Sequence, residues 1–143
     1  MAINTAKFVT GGLAAGVVAN IIGYLGFGML LGPRMEAEAV AVAPVLAGRG
    51  MTGTAIAEQV IISFVVGLLL VWLYAAMRPR FGPGMKTATY AALVVWLCGF
   101  IFHWDFLTLG LMTMTTYLMA SIVALVQLIA SAGVGAMLYK EEG

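Results

Sequence analysis

The apolar residues of the chain fall in four long runs, each of roughly 21–24 residues. A helix needs about 20 residues to cross the hydrocarbon core of a bilayer. Only helices and closed barrels satisfy their backbone groups there, and the runs lack the two-residue alternation of barrel strands. The pattern predicts an all-α membrane protein, a four-helix bundle with short loops. The predicted spans are residues 8–31, 55–77, 87–107 and 116–139.

Turn-forming residues separate the runs. A Gly-Pro pair at 32–33 ends the first run, and Arg78-Pro79 is expected to stop the second, because proline lacks an amide hydrogen. The segment 35–43 (MEAEAVAVA) either forms a short interfacial helix or remains a loop. The apolar region of a secretory signal is about 7–15 residues long. The first run is longer, so we expect it to be retained in the protein as a transmembrane helix rather than cleaved.

Composition excludes several classes of protein. Hydrophobic residues make up 63% of the 143 residues and charged residues 9%, whereas a soluble domain has about 25% charged residues. The formal net charge of +1 gives no basic surface for nucleic acid. The single cysteine, Cys98, lies in an apolar run and is interpreted as a buried, inert side chain, so no disulfide is expected. The length fits one transmembrane domain, residues 1–143.

Basic residues flanking the spans predict the orientation of the chain. Four crossings put both termini and the loop between the second and third spans on one side of the membrane. Five basic residues lie on that side, and two lie on the other; the five are Lys7, Arg78, Arg80, Lys86 and Lys140, and the two are Arg34 and Arg49. The excess predicts that both termini are cytoplasmic.

Small and weakly polar residues recur every three or four positions in three of the spans. In lipid, such residues let helices approach closely and form hydrogen bonds between them. The stripes are Gly12, Gly16, Asn20, Gly23 and Phe27; Gln59, Ser63, Gly67 and Tyr74; and Ala120, Ala124, Gln127, Ser131 and Gly135.

Three polar residues in these stripes are predicted to share one depth. Asn20 and Gln127 each lie 13 residues from a flanking lysine, which is about 20 Å along a helix, and Ser63 lies near that level. We expect Asn20, Ser63 and Gln127 to form a polar layer inside the bundle. The layer is either a set of interhelical hydrogen bonds or part of a path for a solute.

Near the opposite ends of the spans, His103, Asp105 and Glu58 are candidates for an ion or cofactor contact. Residues two apart on a helix do not share a face, so His103 and Asp105 cannot both bind one ion without an unwound turn. The alternative is a hydrated boundary with Trp104 at the membrane interface. No metal site and no cofactor are therefore expected.

The loop between the second and third spans is rich in proline, glycine and cations. Arg78, Arg80 and Lys86 are predicted to contact anionic lipid headgroups. The string GMKT at 84–87 is not a phosphate loop, because no glycine directly precedes the lysine and no strand precedes the loop.

The string YAAMRPRFGPG at 74–84, with GAMLYKE at 135–141 and the glycine-rich opening at 11–20, resembles a group of small bacterial four-span membrane proteins. The likeness extends over most of the chain. It implies a multi-pass helical bundle in the bacterial inner membrane. It implies no activity and no catalytic residue.

Three functional hypotheses follow. The first is a structural or interaction module that self-associates or serves as an accessory subunit of a larger membrane complex. The second is a small oligomeric transporter or channel with a polar path near Asn20 and Gln127, although the first span lacks the carboxylate on which small multidrug transporters rely. The third is a cofactor or metal binder near His103. The first is favoured, with lipid and membrane subunits or further copies as partners, and no enzymatic role is expected.

Overall fold

The computed structural model describes residues 4–46 and 52–139, and this part of the chain is helical without any strand. Four helical stretches are long and apolar enough to cross a membrane: Thr5–Leu30, Gly53–Phe81, Met85–Thr108 and Met114–Leu138. The predicted all-α, four-span fold is confirmed. Arg49 and Lys140, which entered the prediction of orientation, lie outside the described residues.

The helices are named in chain order. They are α1 (Thr5–Gly23), continued by a π-helical segment (Tyr24–Leu30), α2 (Gly32–Val42), α3 (Gly53–Phe81), α4 (Met85–Phe102), α5 (Asp105–Thr108) and α6 (Met114–Leu138). One end of the bundle holds Asn4, the 82–84 turn and Tyr139, and we call it the hairpin end. The opposite end holds α2 and α5, and we call it the α2 end. Helix α2 confirms the helical alternative for residues 35–42, and Ala43 follows the helix end.

Short polar side chains define where three of the long helices begin. Asn4, Thr52 and Thr113 each accept a hydrogen bond from the amide three residues later, at 3.1, 3.2 and 3.3 Å. These bonds satisfy amides that have no partner within the first turn of a helix.

Glycines bring α1 and α3 into direct backbone contact. A Cβ atom placed on Gly67 would lie 2.4 Å from the amide nitrogen of Gly16 and 2.5 Å from the carbonyl oxygen of Gly12. Only hydrogen fits in that space, and the predicted small-residue stripes of these two helices therefore face each other.

A second close approach joins α1 to α6. A Cβ atom on Gly11 would lie 2.9 Å from the carbonyl oxygen of Gly135, and one on Gly135 would lie 3.3 Å from the Cβ atom of Ala15. Because Gly11 and Gly12 are adjacent in sequence but point in different directions, α1 packs against α3 and α6 at the same level. The sequence pattern predicted Gly12 and Gly135 and missed Gly11.

The second span continues beyond the predicted stop. Helix α3 runs through Pro79 to Phe81, because a proline in the last turn removes only one hydrogen bond before the helix ends. The amide of Gly82 then donates to the carbonyl of Arg78 at 2.8 Å. Gly82 and Gly84 adopt φ values of 81° and 118°, which favour glycine, and complete the turn.

Packing is dense at the hairpin end and open at the α2 end. The buried residues of α4 are Thr87, Ala88, Ala91 and Ala92, all in its first eight residues. On α3, residues 56–62 are exposed on every side of the helix. Helices α3 and α4 therefore pack closely near the turn that joins them and leave a gap toward their other ends.

The expectation that Cys98 is buried is wrong. Its side chain is exposed, on the outward surface of the open half of α4. An apolar run is compatible with either position, because in a membrane the lipid-facing residues are as apolar as the core.

We expect Gly67→Ala to lower the free energy of unfolding by about 1–3 kcal/mol, the usual cost of overpacking. Its new methyl group would meet backbone atoms of α1, which cannot move as a flexible side chain does. Thermal unfolding in detergent, followed by circular dichroism, measures the effect. Gly99→Ala is the control, since its Cβ atom would meet nothing within 4 Å. Equal unfolding temperatures for the two variants would contradict the α1–α3 contact.

Candidate functional site

A cavity of about 370 Å³ lies between α1, α3, α4 and α6 in the half of the bundle nearer the α2 end. Its wall is largely apolar and aromatic, with a few polar side chains. A cavity of this size and lining is typical of small-molecule sites, which occur between the helices of bundles. It is the strongest candidate for a functional site among the described residues.

The cavity does not continue through the bundle. The lining residues closest to the hairpin end are Val66, Val95 and Leu128. One turn further on, Leu70 and Ala92 are completely buried, in the densely packed core. The structure therefore holds a chamber that ends near the middle of the bundle, not a pore.

Two residues of the predicted polar layer line the inner end of this chamber. The side-chain amide of Gln127 donates to the carbonyl of Ala19 on α1 at 2.7 Å. The hydroxyl of Ser63 donates to the carbonyl of Gln59, one turn earlier on α3, at 2.9 Å. Gln59 also lines the chamber, so the polar groups at this depth come from α3 and α6.

The third predicted residue, Asn20, lies on a different side of α1. Its side-chain amide donates to the carbonyls of Gly16, at 2.9 Å, and of Val60 on α3, at 3.4 Å. Asn20 does not line the chamber. It joins α1 to α3, whereas Gln127 joins α6 to α1, so the three residues share a level without forming one cluster.

Aromatic residues form the wall on the side of α4 and α6. The indole nitrogen of Trp96 donates to the carbonyl and hydroxyl oxygens of Ser121, at 2.9 and 3.1 Å. The hydroxyl of Tyr117 donates to the carbonyl of Phe100. The ring of Phe100 lies 5.5 Å from that of Trp96 and 5.2 Å from that of Tyr117. These contacts hold the rings in place, and the sequence analysis had not assigned them to one site.

His103 stands at the mouth of the chamber, near the α2 end. Its Nδ1 atom lies 2.8 Å from the carbonyl oxygen of Gly99, and its ring stacks on Phe106 at 5.7 Å. Asp105 begins α5 and Glu58 is exposed near the start of α3. No three His, Cys, Asp or Glu side chains come together as a metal ion requires anywhere in the described ranges. A site that needs the side chains of His103, Asp105 and Glu58 together is therefore not formed, and an ion or cofactor contact at His103 alone stays a prediction.

Helix α2 covers the mouth of the chamber and is fastened by Glu38. The carboxylate accepts from the amide and hydroxyl of Thr113, at 2.9 and 2.8 Å, and from the hydroxyl of Thr116, at 2.5 Å. Arg34 lies 3.4 Å from the same carboxylate, and Met35 of α2 reaches the chamber. We call this group of four residues, Arg34, Glu38, Thr113 and Thr116, the α2 latch.

Electrostatics strengthens the α2 latch. Burial alone would raise the pKa of Glu38, but hydrogen bonds from Thr116 and Thr113 and the charge of Arg34 outweigh it and lower the pKa to about 2. The carboxylate also lies at the N-terminus of α6, where the helix dipole favours negative charge. The sequence pattern does not predict this site, because its only signal is the Arg34–Glu38 spacing of one helical turn.

The cationic residues predicted to contact lipid headgroups lie away from the chamber, whereas Arg34 lies at its mouth in the α2 latch. Arg80 and Lys86 are exposed at the hairpin end, and Arg78 is half-buried there. Among the described residues that line the chamber, none is Asp, Glu, Lys or Arg. The chamber is thus an uncharged site, separate from the residues predicted to contact lipid headgroups.

Comparison of the chain with protein-family models, curated proteins and solved structures gives no match.

We expect Glu38→Gln to loosen α2 from α6. A hydrogen bond to a charged group contributes about 1.5–3 kcal/mol, so amide exchange in α2 and at Thr113 rises about tenfold or more. Hydrogen–deuterium exchange of the protein in nanodiscs measures this. The control is Glu36→Gln, which removes an exposed carboxylate from the same helix. Similar exchange in both variants would mean that Glu38 does not fasten α2.

The α2 latch is expected to open in acid. Because folding lowers the pKa of Glu38 from 4.5 to about 2, the carboxylate stabilises the docked helix above pH 4.5 and ceases to do so as the pH falls toward 2. Spin labels at Ala37→Cys and Leu118→Cys, in a Cys98→Ser background, report the α2–α6 distance. The distance should lengthen in that pH window and not between pH 7 and 5. In Glu38→Gln it should not change with pH.

Proposed function

We propose that this chain is an integral membrane protein that binds a neutral, largely apolar small molecule in the chamber. The observation that carries the proposal is the uncharged, aromatic cavity of about 370 Å³ between α1, α3, α4 and α6. An empty cavity destabilises a protein roughly in proportion to its volume. A ligand that fills it offsets that cost.

The gap between α3 and α4 supports entry from the bilayer. The exposed stretch 56–62 of α3 faces this gap, and α4 has no buried residue after Ala92 among those described. A molecule dissolved in the lipid would reach the chamber sideways without crossing water. The α2 latch meanwhile covers the route from the α2 end.

The volume limits the size of the ligand. A cavity of about 150 Å³ accommodates benzene, so a cavity of about 370 Å³ has room for about 15 non-hydrogen atoms. A molecule of two fused rings fits within that limit.

The proposal includes an orientation and a location. We place the hairpin end in the cytoplasm because Lys7, Arg80 and Lys86 are exposed there and basic residues favour that side. Arg80 and Lys86 would then contact anionic headgroups of the inner leaflet. The bacterial inner membrane is the location that the sequence resemblance implies.

The interaction-module role expected from the sequence remains a prediction. The exposed apolar residues of the four spans are what contact with lipid requires, so they do not by themselves call for a second copy or a partner subunit. Transport remains a prediction as well, and it would require the packed residues near Leu70 to separate.

Naphthalene is a suitable probe of the chamber. We expect it to raise the thermal unfolding temperature of the protein in nanodiscs, because a ligand that binds only the folded state stabilises it. The double variant Ala120→Phe/Ala124→Phe, which fills the chamber, should abolish the rise. The control Ile122→Phe/Val126→Phe also introduces two phenylalanines into α6, but on its outward side, where these residues are 62% and 56% exposed. A rise that persists in the filled variant would contradict the proposal.

A further inference from the structure

Four polar side chains of the chamber donate hydrogen bonds to oxygen atoms of the protein: Ser63, Trp96, Tyr117 and Gln127. Gln59 and Ser121 also line the chamber and carry both donor and acceptor groups. Ser63 donates its hydroxyl hydrogen to the carbonyl of Gln59, and Gln127 donates to the carbonyl of Ala19. A serine hydroxyl has one hydrogen and two lone pairs, and a glutamine side chain has a carbonyl oxygen besides its amide. Ser63 therefore presents acceptor lone pairs to the chamber, and Gln127 presents its side-chain carbonyl oxygen and one remaining amide hydrogen.

The same holds nearer the mouth. Tyr117 gives its hydroxyl hydrogen to Phe100, which leaves the phenolic oxygen as an acceptor. The short contact between Nδ1 of His103 and the carbonyl of Gly99 requires the proton on Nδ1. In the tautomer with its proton on Nδ1, the Nε2 atom is an acceptor as well.

Charge narrows the choice of ligand. An acceptor-rich wall suits a hydroxyl or an ammonium group, but a buried ammonium needs a carboxylate nearby to offset its desolvation. None of the described residues that line the chamber is acidic, and none is a lysine or arginine that would attract an anion. A neutral hydroxyl group is the donor that this wall fits.

Position within the chamber selects the acceptor. Ser63 is 6% exposed and lies at the inner end, whereas His103 is exposed at the mouth. A hydrogen bond at the inner end contributes more to the binding free energy than one at the mouth, because an unpaired polar group at the inner end has no water to pair with. The aromatic rings of Trp96 and Phe100 flank the route between the two ends.

We infer that the ligand of the chamber is a neutral ring compound bearing a hydroxyl group, a phenol or cyclic alcohol, that donates to the hydroxyl oxygen of Ser63 at the inner end. This inference rests on the proposed function and specifies the class of its ligand. The rings of the ligand pack against Trp96 and Phe100, and the donor hydrogen points toward the middle of the bundle.

The test compares 2-naphthol with 2-methoxynaphthalene. The two share a ring system, but only 2-naphthol donates a hydrogen bond. Equilibrium dialysis with empty nanodiscs measures how much of each compound partitions into lipid. This amount is subtracted from the binding to nanodiscs that contain the protein. With the protein in nanodiscs, we expect 2-naphthol to bind about fivefold more tightly than 2-methoxynaphthalene, the effect of one net hydrogen bond.

Substitution of Ser63 tests whether its hydroxyl oxygen is the acceptor for the ligand. Ser63→Ala should weaken 2-naphthol about fivefold and leave 2-methoxynaphthalene unchanged. The matched control is Thr10→Val, which removes an exposed hydroxyl that also donates to the carbonyl four residues earlier, at 3.0 Å. It should change neither ligand. The melting temperature of each variant shows that it folds.

The outcomes separate the two proposals. Equal binding of both compounds, insensitive to Ser63→Ala, would overturn the hydroxyl inference and leave the proposed function standing. No binding of either compound beyond empty nanodiscs would overturn the proposed function and the inference with it. Preference for 2-naphthol that survives Ser63→Ala would overturn the assignment of the inner-end acceptor.

Discussion

The close backbone contact of α1 with α3 and α6 is the constraint on which the rest of the structure depends. In a bilayer, apolar side chains gain little by leaving lipid for protein, so helices associate where small residues permit dense packing. Gly12, Gly16 and Gly67 provide one such contact, and Gly11 and Gly135 the other. Both lie in the half of the first span, Thr5–Leu30, that is nearer the hairpin end. Beyond them, Gly23 and Gly26 keep the first span against Gln127 and Val123 of α6, whereas α4 has no buried residue after Ala92 among those described. The chamber occupies the space that α4 leaves open.

The chamber and the α2 latch illustrate two ways of handling polar groups at a membrane. Inside the bundle, Ser63 and Gln127 each donate a hydrogen bond to a backbone carbonyl, which leaves acceptor oxygens toward the chamber. At the α2 end, a full charge is tolerated because Glu38 accepts from Thr113 and Thr116 at the start of α6. The first arrangement permits a neutral ligand. The second fastens α2 over the mouth of the chamber.

The outcome for His103 shows why spacing along a chain is weak evidence for a site. His103, Asp105 and Glu58 lie at similar depth in the sequence-based prediction, yet depth does not determine direction. In the structure the imidazole turns to the carbonyl of its own helix at Gly99 and to the ring of Phe106. It belongs to an aromatic wall and not to a cluster of ionisable groups.

The amino-acid sequence alone determined the fold class and the four spans, because length and continuous hydropathy suffice to define a membrane-crossing helix. It also located the Gly12–Gly16 contact surface, since the spacing of small residues follows the helical repeat. Tertiary structure decided the remainder: Gly11 meeting Gly135, Cys98 facing outward, and Glu38 binding a helix end 75 residues away. These depend on how far neighbouring helices rotate and diverge, and lipid and protein interior are too alike in polarity for a sequence pattern to distinguish the two sides of a helix.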